Sequence, residues 1–173
     1  MPADLRTDRG IEAGPPRLKR ARGLRRVGIG LLLAVLAVGL AGGFGVRTAS
    51  VSASGGGYEL TVTHAAVTRP GLATPFDIEV RRAGGLGRPV TVAISSDYLE
   101  MFDENGIDPD PASSTSDPGF VHMEFDPPPS GTLTISFDVR LEPGVQWGKT
   151  GRVVLLDGER AVADVSFRTW VMP

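Results

Sequence analysis

Apolar and polar positions change rhythm along this 173-residue chain. Residues 27–46, VGIGLLLAVLAVGLAGGFGV, carry no charged or strongly polar side chain. A helix of that length measures about 30 Å, the hydrocarbon thickness of a bilayer. From Tyr58 onward the period becomes two. Polar and apolar residues alternate over 58–63, 76–81, 90–95, 121–125, 133–139, 153–156 and 161–170, with β-branched or aromatic side chains on one face. That pattern predicts seven half-buried strands.

Turn residues separate the runs, at 69–71, 84–87, 127–131 and 142–144. Asp157 and Gly158, between two apolar runs, form the sharpest hairpin signal. No sustained 3.6-residue period follows residue 57. The expected fold is therefore all-β, an immunoglobulin-like antiparallel β-sandwich of about seven strands behind a single transmembrane helix. The Cys and Trp hallmarks of antibody domains are missing, because the chain has no Cys. Residues 47–57, RTASVSASGGG, read as a flexible Gly/Ser linker. Residues 96–119 interrupt the strands with an Asp-, Pro- and Ser-rich stretch, expected as a long connection with a helical turn or short edge strand at 98–102.

Charge sharpens this division. Residues 1–26 hold eight basic and three acidic side chains, a net of +5, whereas residues 47–173 hold ten basic and seventeen acidic, a net of −7. The overall charge of −2 conceals the contrast. A basic cluster directly before an apolar span predicts a cytoplasmic N-terminus. The expected organisation is a disordered cytoplasmic tail at 1–26, a transmembrane helix at 27–46, a linker at 47–57 and an exported sandwich at 58–173, periplasmic or extracellular. A signal peptide cleaved after small residues near Thr48 to Ala53 is the alternative. Sixteen Arg against two Lys fits a GC-rich bacterial genome.

Without Cys there is no disulfide framework, thiolate metal cluster or Cys nucleophile. No nucleophile elbow, Walker loop, dinucleotide fingerprint or zinc spacing occurs, so no catalytic residue and no cofactor is assigned. A domain at −7 repels phosphate, and the basic tail reads as topogenic and lipid-facing, which excludes nucleic acid as a partner.

Three groups remain. Gly39 and Gly43 form a small-xxx-small pair that suits helix packing and a helix-mediated oligomer. Asp97, Glu100, Asp103, Glu104, Asp108 and Asp110, followed by Asp117, form an acidic loop suited to contact with a partner. Within it Asp103, Asn105, Asp108 and Asp110 are candidate calcium ligands, with Asn105 and Gly106 at a turn, although the spacing departs from an EF-hand. His64 and His122, with Met101, Met123 and Met172, are the remaining candidates, for copper. The expected function is a non-enzymatic binding or accessory module for another cell-envelope protein, with a metal-binding module as the alternative. In layout the chain is similar to small bacterial accessory proteins with a membrane helix and an immunoglobulin-like exported domain.

Overall fold

The computed structural model describes residues 15–40, 42, 45–145 and 147–172, with side chains from residue 21. They fall into two units, Met1–Gly45 and Val46–Pro173.

The described residues of the first unit form one helix, α1 (Pro15–Leu40). Its segment Ala21–Leu40 is long and apolar enough to cross a membrane. The basic cluster expected to be disordered is helical from Pro15. Proline is tolerated at the first helical position because its missing N–H would have had no intrahelical acceptor there. The helix also stops six residues short of the expected end, in the glycine-rich run after Leu40, where the Gly42 amide bonds the Gly39 carbonyl (3.0 Å). Gly39 therefore sits in the last helical turn, whereas Gly43 lies outside the described residues, as does the tail before Pro15.

The second unit consists of two antiparallel sheets around one core. The first sheet contains β1 (Arg47–Gly55), β2 (Tyr58–Thr68), β3 (Ala73–Arg82), β5 (Phe102–Asp108), β8 (Thr132–Leu141) and β11 (Trp170–Val171). Its order is β1-β2-β3-β8-β5, with β11 beside β2. The second sheet contains β4 (Val90–Ser95), β6 (Ser113–Ser116), β7 (Phe120–Phe125), β9 (Thr150–Asp157) and β10 (Arg160–Arg168), in the order β10-β9-β4-β7-β6. A single helical turn, α2 (Ser96–Leu99), follows β4. Every strand expected from alternation is present, and the described residues form eleven strands rather than seven.

The core is built as the alternation requires, with Leu60, Val62, Phe76, Ile78, Val80, Ile94, Ile135, Leu141, Val153 and Leu155 all buried. An aromatic cluster fills its centre. Phe76 lies 4.8 Å from Phe137 and 5.4 Å from Tyr98 between ring centroids, and Tyr98 lies 5.0 Å from Phe167. These edge-on and tilted arrangements are the ones the ring quadrupoles favour.

The expected linker is corrected. Residues 47–55 form β1, paired with β2 in antiparallel register from Arg47↔Val67 to Gly55↔Tyr58. Gly56 and Gly57, with φ of 59° and 82°, make the two-residue turn between them. Two consecutive positive φ values are the requirement of a tight hairpin whose twist matches its strands, which glycine meets without strain. Ser50 and Ser52 hydrogen-bond Thr63 and Thr61 across the pair, each at 2.9 Å. The folded unit thus begins at Val46 rather than Tyr58.

The long run expected over 161–170 is divided between the sheets. β10 ends at Arg168, and β11 resumes in the other sheet, parallel to β2. Buried Thr169 makes the crossing. Its hydroxyl donates to the Ala65 carbonyl (2.7 Å) and accepts from the Tyr98 hydroxyl (3.0 Å), and its amide donates to the Lys149 carbonyl (3.1 Å).

Candidate functional site

The acidic stretch is largely strand where a loop was expected. After α2 the chain forms β5 along one edge of the first sheet, with Phe102 opposite Leu141 and Asp108 opposite Ser136. It then crosses over and forms β6 at an edge of the second sheet, with Ser113 opposite Glu124. Asn105 and Gly106, expected at a turn, lie instead where the register of β5 shifts, as in a β-bulge. Exposed carboxylates and a bulge on an edge strand both discourage uncontrolled pairing with another chain.

β5 and β6 are edge strands of different sheets, and the sandwich is open between them. The opening is a cleft of about 500 Å³, lined by Leu99, Ile107, Val121 and Met123 together with Gly106 and Pro111, and rimmed by Glu104, Asp110 and Ser114. The opposite side is tighter. There β1 approaches β10 so closely that a methyl group at Gly55 would lie 1.9 Å from the Val162 carbonyl oxygen.

Glu104 and Asp110 are therefore brought together at the cleft, and the other acidic candidates are dispersed. Asp97 lies in the first turn of α2. Glu100 reaches the Lys149 ammonium at 3.7 Å. Asp103 stands opposite Arg140 on β8, and Asp108 ends β5. Asp117 caps the turn into β7, accepting from the Gly119 and Phe120 amides (2.9 Å each) and meeting His122 Nε2 at 2.8 Å. The His122 hydrogen bond, followed by the two amides, holds its carboxyl below the usual range.

The calcium candidates Asp103, Asn105, Asp108 and Asp110 are all exposed, strung along β5 and just past its end. Among the described residues no three His, Asp or Glu side chains are grouped to hold a metal ion. The copper candidates are also apart. His64 lies on β2, buried against Phe167 with 4.5 Å between ring centroids, and Nδ1 is 3.1 Å from the Ala65 carbonyl. Burial pushes its pKa down. His122 is on β7 in the other sheet, Met101 and Met123 are core residues, and Met172 is exposed near the C-terminus.

The apolar lining of the cleft is what sequence reasoning missed. Ile107 is the lone large apolar side chain in DENGIDPDP, and that isolation was the available signal. Leu99, Val121 and Met123 come from separate segments, joined only by the fold. Compared with protein-family models and with curated proteins, the chain matches none.

Proposed function

We propose that the chain is a membrane-anchored, exported β-sandwich that serves as a non-enzymatic binding module for another cell-envelope protein, engaged at the cleft between β5 and β6. The observation that carries this reading is the cleft itself, where half-buried Ile107, Leu99 and Val121 line an opening floored by buried Met123 under an acidic rim. A complementary segment would be extended, apolar along one side and basic at its margin, so that rim charge sets orientation and apolar contact supplies affinity.

A retained anchor is supported by the register of β1. Cleavage after Ala53 would remove residues 47–53 from a nine-residue strand that pairs along its whole length with β2. The exposed leucines of α1, Leu31, Leu32 and Leu33, suit a lipid environment. An immunoglobulin-like classification is supported by strand order. β2-β3-β8-β5 and β10-β9-β4-β7 follow the two-sheet division of that architecture, although β5 precedes β7 in the chain.

The test uses the full chain in its own membranes. A photo-reactive side chain at Ile107 should yield a discrete adduct that Glu104→Lys with Asp110→Lys abolishes. The same label at Glu159, on the β9–β10 hairpin, should yield none. Equal adducts at both positions would refute the cleft as the binding surface. Because the chain lacks Cys, the single substitutions Thr7→Cys and Thr115→Cys report topology. Only the Thr115→Cys protein should react with an impermeant maleimide from outside.

A further inference from the structure

The large apolar side chains left exposed on the second unit are not scattered. Among the described residues they are Leu72, Trp147, Trp170 and Met172, at 40%, 82%, 56% and 41% exposure. All four lie at one end. Leu72 is in the β2–β3 turn, where its carbonyl accepts from the Leu141 amide (3.0 Å). Trp147 is in the β8–β9 connection, next to Gly148, whose α-carbon faces the Thr169 carbonyl and Trp170. Trp170 pairs with Val67 of β2, and the Met172 amide bonds the Thr68 carbonyl (2.9 Å).

Val67 is also the register partner of Arg47, the first residue of β1. Arg47, Val67 and Trp170 thus stand side by side on three adjacent strands. This is the end at which the chain arrives from α1, through only the six residues 41–46. The opposite end, formed by the turns at 56–57, 83–89, 126–131 and 158–159, displays no large exposed apolar side chain.

The chemistry at the Arg47 end is that of a membrane–water interface. Trp has an apolar body and one N–H donor, and it concentrates at the headgroup level of bilayers. The Arg168 guanidinium lies 4.0 Å above the Trp170 ring, with the charge at the rim of an apolar surface. Lys149 and Arg47 add positive charge, Glu100 pairs with Lys149, and Glu142 is the exposed acid of the β8–β9 connection. A water-exposed Trp needs a reason in a chain that has only two, both placed here.

We infer that this end of the sandwich is a second membrane contact, with Trp147, Trp170, Leu72 and Met172 seated among the lipid headgroups. The contact rests on the anchor reading above. Its consequence is a domain with restricted orientation, its long axis fixed relative to the bilayer.

The two tryptophans provide the test, since α1 contains none. The full chain is reconstituted in vesicles of phosphatidylcholine with phosphatidylglycerol, and its fluorescence is read with and without acyl-brominated lipid. Expected are a blue-shifted emission relative to exposed indole and loss of most of the intensity to the brominated lipid. Trp147→Phe and Trp170→Phe, taken singly, should each leave a quenchable residue. Arg47→Glu with Arg168→Glu should shift the emission toward that of exposed indole. If the protein floats with the vesicles but its emission is that of exposed indole and is unquenched, the anchor stands and the contact is overturned. If it fails to float at all, the anchor reading falls and the contact with it.

Discussion

Tyr98→Phe isolates a single buried hydroxyl whose effect changes sign with pH. Tyr98 is fully buried, and its hydroxyl donates to Thr169, which passes the bond on to Ala65. Removing it leaves Thr169 with its own donated bond but without a partner for one lone pair. A cost of about 1 kcal/mol is expected at neutral pH. Burial also pushes the Tyr98 pKa up from 10.0 to about 12. A folded-state pKa above the unfolded one means that the neutral phenol's contribution is complete below pH 10.0 and is lost as pH rises toward 12. That rise corresponds to about 3 kcal/mol in all, of which roughly half is gone by about pH 11. The variant has no phenol here to ionise. It should therefore be less stable than the wild type at neutral pH, equal to it near pH 11 and more stable above. Urea unfolding of residues 46–173, which hold a core of their own, across that range reads the difference directly. Stability curves that stay parallel from neutral to alkaline pH would refute the argument, because Tyr98 would then be titrating as an exposed phenol.

Three other outcomes follow from the geometry. Gly55→Ala forces a methyl group against the Val162 carbonyl at 1.9 Å and should lower the melting temperature far more than Gly57→Ala, where space is open and only the positive φ of 82° costs roughly 1–2 kcal/mol. A protein starting at Tyr58 should lose dispersed amide resonances that one starting at Val46 retains, since deleting β1 uncovers the whole outer edge of β2; a well-dispersed spectrum from the shorter chain would restore the linker reading. Asp117→Asn should loosen the turn into β7 at neutral pH, seen as faster amide exchange at Gly119 and Phe120. That difference should vanish well below the ordinary carboxylate value of 3.8, where the lowered pKa of Asp117 is passed and the wild-type group is itself protonated.

The strands that were legible in the sequence are those with one wet and one dry face. In β3 and β8, and in β2 as far as His64, the buried positions recur at every second residue, so the hydrophobic pattern records the sheet directly. β1, β5 and β6 are edge strands with little buried side-chain volume, and Ser, Asp and Asn occupy positions that the alternation reserves for larger residues. Their pairing rests on the backbone ladder, which leaves no mark on side-chain pattern. The crossing at Thr169 was illegible for another reason: it depends on Ala65 and Tyr98, 104 and 71 residues away along the chain. The acidic candidates were legible as a group. The cleft was not, because its apolar lining is assembled from separate segments.

The direction of β1 has a mechanical consequence. The chain enters β1 at Arg47 and runs from there along β2 to the turn at Gly56, so tension from the helix reaches the sandwich at the head of an edge strand. A pull on Arg47 along the strand axis, away from the sheet, loads β1 in shear against β2. Beyond the register shift at Arg47, the eight continuous positions from Thr48↔Ala65 through Gly55↔Tyr58 then resist together instead of opening one after another. The segment that reads as a slack tether is placed to bear load.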